Sequence, residues 1–381
     1  MSDKFVYMDY NATTPVDAEV VKAMLPYFSE KFGNAASKHH FGNEASAAVE
    51  HSRKQISDLI SSNLKDIIFT SGATESNNLA LKGVIESNFK ENINIVTTEI
   101  EHPSILDVCK SLSASGVTIK YVKPNEYGII DPDDVEKAID NNTVLVSVMM
   151  ANNEIGTIQP IPEIGKICKS KGVLFHTDAV QAFGKIPINV NDFNIDLMSI
   201  SAHKIYGPKG TGALYINSNK KIRLTEQING GGHEHGIRSG TLNTPGIVGF
   251  GKAAEIASSR MYSDFQKEIV QRDILIENFL KRISFTYLNG SKEKRLPNNV
   301  SISFEGVESG VLLSHLKNVA LSTGSACSSA TLQPSHVLKA IGKSDSQIKS
   351  AVRFGIGRET TNEEINYVIE KVIEAVNRLR G

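Results

Sequence analysis

Apolar residues along this chain fall into short unbroken runs, separated by longer stretches in which they recur every three or four positions. The runs lack the in-out alternation of a half-exposed strand and predict strands buried on both faces; the spaced stretches predict helices with one apolar stripe. A short extended piece near Met8 leads into helical patterns up to about residue 61, interrupted at Phe32-Gly33-Asn34-Ala35-Ala36-Ser37. The two types then alternate. Strands are predicted over 66–70, 94–98, 117–122, 143–149, 173–177 and 196–200, and helices over 74–87, 104–113 and 163–171. A further helix opens at Asp131-Pro132, where a cap precedes a proline whose missing N–H is not needed. Buried strands alternating with helices make a parallel sheet, so the fold class is α/β. Beyond Thr244 the pattern changes to a long helical stretch over 247–283, strands over 299–304, 319–322 and 351–355, and helices over 310–317, 335–341 and 362–379. That order predicts a second, smaller α+β domain.

The length, 381 residues with 40% hydrophobic, allows a large core and two domains. A net charge of −1 gives no electrostatic case for nucleic acid or membrane as a partner. No apolar run reaches membrane-spanning length, and the start, MSDKFVYMDYNATTP, has no apolar core of a secretory signal. The expected location is the cytoplasm. Three cysteines, an odd number, argue for reduced thiols rather than a disulfide framework. Cys109 and Cys168 fall on apolar helical stripes as core residues, whereas Cys327, in Ser322-Thr323-Gly324-Ser325-Ala326-Cys327-Ser328-Ser329-Ala330, is predicted to be an accessible thiol.

In a doubly wound sheet, ligands bind at the carboxyl ends of the strands, and that is where the polar motifs fall. The strand 196–200 runs into Ser201-Ala202-His203-Lys204 and then a Gly/Pro-rich loop up to a strand at 213–216. A buried lysine there is a competent nucleophile toward a carbonyl cofactor. Thr70-Ser71-Gly72-Ala73-Thr74-Glu75-Ser76-Asn77 feeds a helix whose free amides suit a phosphate. His102 could stack on a cofactor ring and move protons, Asn153 could bond a phenolate oxygen, and Asp178 could pair a pyridinium nitrogen. The loop Gly230-Gly231-Gly232-His233-Glu234-His235-Gly236-Ile237-Arg238-Ser239-Gly240-Thr241 offers an arginine and a hydroxyl. Read singly, each has a plainer role as a helix cap, a turn former or a solvated side chain. Together they supply a phosphate cradle, a stacking group, a pyridinium partner and a lysine. A dinucleotide site fits less well, because the first turn lacks the three-glycine fingerprint.

The chain resembles the cysteine desulfurases of the NifS/IscS type, the longer-loop group of the class V aminotransferase family, of fold type I architecture. The resemblance is carried by Asp9-Tyr10-Asn11-Ala12-Thr13-Thr14-Pro15, Phe69-Thr70-Ser71-Gly72-Ala73-Thr74-Glu75-Ser76, Asn152-Asn153-Glu154-Ile155-Gly156, the lysine segment 201–212, Gly230-Gly231-Gly232-His233-Glu234, Arg238-Ser239-Gly240-Thr241 and the cysteine loop. It implies a large domain with a mainly parallel sheet of seven strands over 16–255, and a small domain over 256–381 that carries the cysteine loop and takes in residues 1–15. It implies that Lys204 holds pyridoxal 5′-phosphate as a Schiff base and that Ala73, Thr74, Ser201 and His203 surround the phosphate, with Thr241 supplied by the second subunit of a homodimer. Asp178 would pair the ring nitrogen, Gln181 and Asn153 would lie near the phenolate oxygen, and His102 would stack on the ring. Arg353, with Asn153 beside it, would bind the carboxylate of L-cysteine. Lys204 would move the Cα proton and Cys327 would take the sulfur as a persulfide, leaving alanine. The resemblance further implies a protein acceptor for that sulfur, such as an iron–sulfur scaffold or a thiolation enzyme, with Cys327 a passing ligand of a nascent cluster and no resident metal. Selenocysteine cleavage and transamination are the neighbouring activities; transamination has no use for Cys327. A non-catalytic binding protein would not need the lysine, aspartate, histidine and cysteine together.

Overall fold

The apolar runs fold into the strands expected of them. The computed structural model of the protein describes residues 5–88, 90–323 and 334–381. In chain order its strands are β1 (Val6–Tyr7), β2 (Ile67–Thr70), β3 (Asn94–Thr98), β4 (Thr118–Val122), β5 (Thr143–Ser147), β6 (Leu174–Asp178), β7 (Leu197–Ser201) and β8 (Gly212–Ile216), followed by β9 (Thr286–Leu288), β10 (Asn299–Phe304), β11 (Val319–Ala320), β12 (Ser322–Thr323) and β13 (Ala351–Gly355). Seven of them form one sheet in the order β2-β8-β7-β6-β5-β3-β4. The pairs from β4 through β7 are parallel, and β8 runs antiparallel to both β2 and β7. The connection from β7 to β8 is too short for a helical crossover, so the chain can only return antiparallel.

Adjacent residues of one strand enter different cores, which explains the missing alternation in the sequence. Ile67 and Phe69 pack on one face and Ile68 on the other. The second face is covered by the helices Ala73–Ser87 and Pro103–Ala114, whose Leu79, Val84, Ile105 and Cys109 complete its core.

A second, antiparallel sheet has the order β12-β13-β10-β9. Behind it the rings of Phe279 and Phe304 meet edge to face at 5.5 Å, and Phe354 lies 5.1 Å from Phe279. The chain's start joins this part: β1 pairs in parallel with β11, and Asp9 bridges to Gly355. One helix, Thr244–Arg282, belongs to both cores, burying Ile247 and Phe250 against the large sheet and Leu275 and Phe279 against the small one.

Three details differ from the sequence expectation. The strand expected over 319–322 is two, because its first half pairs with β1 and its second with β13. β9 has three residues and none is buried, which leaves no periodicity to read. The helix Asp345–Lys349 has only five residues, and its signature is the capping box formed by Ser344 and Gln347. Among the described residues no helix is long and apolar enough to cross a membrane.

Candidate active site

The carboxyl ends of β5, β6 and β7 open on a cavity of about 530 Å³. Beyond Ser201 the chain makes a single 3-10 turn, Ala202–Lys204, that turns the lysine into this cavity. Lys204 is buried, and its Nζ donates to the carbonyls of Asn11 and Ala12, both at 2.6 Å. The same N-terminal segment follows the turn further: Thr13 Oγ1 lies 3.1 Å from His203 Nδ1, and Thr14 Oγ1 donates to the His203 carbonyl at 3.0 Å and accepts from Tyr206 N at 2.8 Å. Burial pushes His203 down to about 4, helped by Lys204, Lys209 and Lys185, so its ring is a neutral hydrogen-bonding group.

Asp178 ends β6 as a buried carboxylate. Its Oδ2 accepts from Asn77 Nδ2 at 2.9 Å and its Oδ1 from Val180 N at 3.0 Å, which answers the requirement that an acid at the end of an apolar run be hydrogen-bonded. Gln181 lines the cavity with its amide turned to Asn11, donating to the backbone carbonyl at 3.0 Å and accepting from Nδ2 at 3.3 Å.

His102 combines two of the roles open to it in the sequence. It is the N-cap of the helix Pro103–Ala114, its Nδ1 accepting from Ser104 N at 3.1 Å, and its ring lines the cavity. Opposite, the helix Ala73–Ser87 begins at Gly72 without any side-chain cap. Gly72 has φ of 153°, in the region that favours glycine, and a Cβ there would point into open space. Gly212 of β8 passes so close that a Cβ on it would lie 2.7 Å from the Gly72 Cα. Ala73, Thr74, Asn153 and Ser201 line the same cavity.

Arg353 is the largest fully buried side chain of the described residues. In the middle of the small sheet, its Nη2 pairs with Asp9 Oδ1 at 2.9 Å and its Nη1 donates to the Asn153 carbonyl at 2.9 Å. Its Nε is buried with no partner among the described residues.

The cavity thus gathers Ala73, Thr74, His102, Asn153, Asp178, Gln181, Ser201, His203, Lys204 and Arg353. Thr241 is exposed and is not among the lining residues. Cys327 lies outside the described residues. Arg238, the arginine of the glycine-rich loop, pairs with Glu75, Nε to Oε1 at 2.8 Å. Cys109 and Cys168 are buried and free, and burial pushes both thiols up to about 12, as expected of inert core residues.

Sequence reasoning passed over four supports of the site: Asp9 and Asn11, which hold Arg353 and Lys204; Asn77, which holds Asp178; and Ser104, which holds His102. Asp9 and Asn11 stood in a quoted motif with no role attached. Asn77 closed the motif after β2 with no role attached, and Ser104, the second residue of the helix Pro103–Ala114, is marked by nothing local.

The chain matches the family model Aminotransferase class-V over residues 6–368 and belongs to that family. It is 52% identical over 378 residues to the cysteine desulfurase IscS of Rickettsia massiliae (strain Mtu5), spanning 98% of this chain and 92% of that protein. A solved NifS-like protein superposes with a TM-score of 0.92 at 37% identity, covering 98% of this chain and 100% of the other. The structure of SspA in complex with cysteine gives 0.83 at 36% identity, with coverages of 92% and 98%.

Proposed function

We propose that this protein takes sulfur from L-cysteine, releasing L-alanine and carrying the sulfur as a persulfide on Cys327. It is a cysteine desulfurase of the class V aminotransferase family. One observation carries the reading: a single cavity gathers Lys204, Asp178, His102 and Arg353 in a chain half-identical to a cysteine desulfurase over nearly its whole length.

The residues suit pyridoxal 5′-phosphate. The uncapped helix start at Gly72 offers backbone N–H groups to a phosphate, with Thr74, Ser201 and neutral His203 around it. Asp178 stands ready for the ring nitrogen, Gln181 and Asn153 for the phenolate oxygen, and Lys204 for the carbonyl carbon. When bound, the cofactor supplies an electron sink for the substrate Cα.

The side chains of the protein do the rest. Arg353 binds the substrate carboxylate, and its unpartnered Nε–H is a donor left over for it after Asp9 and Asn153 are served. Lys204 takes the Cα proton and returns it once the sulfur has left. The Cys327 thiolate attacks the substrate sulfur; the S–S bond forms as the Cβ–S bond breaks, and Cβ keeps the electron pair and takes a proton to become the methyl of alanine.

The complete enzyme is a cytoplasmic homodimer in which Thr241 of one subunit serves the other's phosphate, a reading supported by its exposure outside its own chain's cavity. The N-terminal 15 residues and residues 256–381 act as the small domain, and the sulfur passes to a protein acceptor in iron–sulfur or thio-cofactor synthesis.

The test is to follow alanine and enzyme-bound persulfide formed from L-cysteine in the wild type and in Cys327→Ala. Both products are expected from the wild type, and the variant should keep the bound-cofactor spectrum while losing persulfide. Full desulfuration by the variant would overturn transfer through Cys327 and leave a lyase.

A further inference from the structure

We propose that Asn77 and Ser104 are positioning residues that form a one-way hydrogen-bond chain from Asp178 to His102 and hold the His102 ring neutral, with its proton on Nε2. The inference rests on the site reading above but concerns groups to which that reading gives no part.

The direction follows from which groups can only donate. Asn77 is fully buried, and its Nδ2 lies 2.9 Å from Asp178 Oδ2 and 2.8 Å from Ser104 Oγ. A carboxylate only accepts, so the amide must face it with its nitrogen, and the second N–H of that nitrogen is spent on Ser104. The Ser104 hydroxyl therefore accepts from Asn77, and its own hydrogen is left for His102 Nδ1 at 2.8 Å. The same Nδ1 accepts from Ser104 N at 3.1 Å, and a backbone N–H has no other option. Two donors on Nδ1 leave no place there for a proton, so in the neutral ring the hydrogen sits on Nε2. Protonating the ring means breaking the helix cap and turning the serine hydroxyl away. Asp178 thus fixes the face that His102 shows to the cavity, through two side chains that touch neither substrate nor cofactor in the reading above.

The consequence for the reaction is specific. His102 acts as a flat neutral ring with a donor at Nε2, and a second proton joins it only when the Ser104 contacts give way. The ionisable groups around it are Glu101 beside it in the chain, Asp107 from its own helix, Glu75 from the helix Ala73–Ser87, Asp178 from β6, Glu154 from the loop after β5, His203, Lys204 and Lys209 from the segment after β7, Arg353 from β13 and His336 from the helix His336–Ala340. All of them are retained in the variants below, so a change in titration reports the hydrogen-bond chain.

The experiment is nitrogen NMR of ring-labelled histidine in the holoenzyme, with the His102 signals assigned by their loss in His102→Gln. In the wild type, Nδ1 should appear unprotonated and Nε2 protonated. Ser104→Ala removes a donor to the neutral ring and should raise the His102 protonation midpoint by about 0.5–1 pH unit. Ser104→Thr keeps a hydroxyl and should restore it, while Asn77→Ala frees the serine hydroxyl and should shift it in the same sense as Ser104→Ala. A proton on Nδ1 in the wild type, or a midpoint unmoved in Ser104→Ala, overturns the proposal. If Asn77→Ala does not fold, the two Ser104 variants decide alone. The titration can be read whether or not the enzyme desulfurates cysteine, so failure here is distinct from failure of the functional reading.

Discussion

Glu101 stands next to His102 without exposure to solvent, and burial pushes its carboxyl up to about 8. Its Oε1 accepts from Thr98 Oγ1 at 2.8 Å and from Met149 N at 2.9 Å, while Oε2 has no partner among the described residues. The native state therefore keeps a proton that the unfolded chain releases above about 4.3. Since the folded value lies above the unfolded one, the stability from this group is full below that point and is lost as pH rises through about 8. Glu101→Gln, which cannot ionise, should flatten the decline of the thermal midpoint over this interval; a decline as steep as in the wild type would assign the titration to another group. His176 is a contrasting case. It lies between Ser147 Oγ at 2.9 Å and Ser199 Oγ at 3.0 Å, and burial pushes it down to about 3, so it is a neutral tie between neighbouring strands.

At the scale of elements, the site depends on how strand ends and helix starts are fastened. The helix His336–Ala340 is capped by Ser335, which accepts from Leu338 N at 3.1 Å and donates to Glu154 Oε2 at 2.5 Å. Burial pushes Glu154 up to about 7, and its neighbour Asn153 receives Arg353, so this cap ties the helix to the loop that holds Arg353. Ser335→Ala removes a cap and a buried hydrogen bond together and should lower the unfolding free energy by about 1–3 kcal/mol, read by denaturant titration. A change near zero would mean that solvent or Glu154 itself replaces the lost contacts.

The strands, the turn at Gly72, His102, Asp178 and Lys204 were legible in the sequence because each is signalled locally, by an apolar run ending in a polar motif. The Asp9 and Asn153 contacts of Arg353 and the pairing of Arg238 with Glu75 were not. They join residues 344, 200 and 163 positions apart, and no local pattern records a partner that far away. The split between β11 and β12 was hidden for the same reason, since each half takes its direction from a different distant strand.

Over the whole molecule, the segment before residue 15 acts as a clasp. It adds β1 to the C-terminal part, gives Asp9 to Arg353, and gives two carbonyls to Lys204. Arg353 is buried, so removing its charge partner leaves a guanidinium short of compensation. Asp9→Ala should cost about 3–5 kcal/mol of stability, checked by equilibrium unfolding. A cost below about 1 kcal/mol, the range of exposed pairs, would show that water reaches this pair.

The clasp also fixes when the protein can begin to work. Asp9 leaves the ribosome 344 positions ahead of Arg353. At about 5–20 residues per second, the two are separated by roughly 17–70 s of synthesis. Over the last 149 of those positions Lys204 already exists, while Arg353, the group proposed to receive the substrate carboxylate, has yet to be made. On the proposed function, a nascent chain cannot hold its substrate before the last of the described strands is in place.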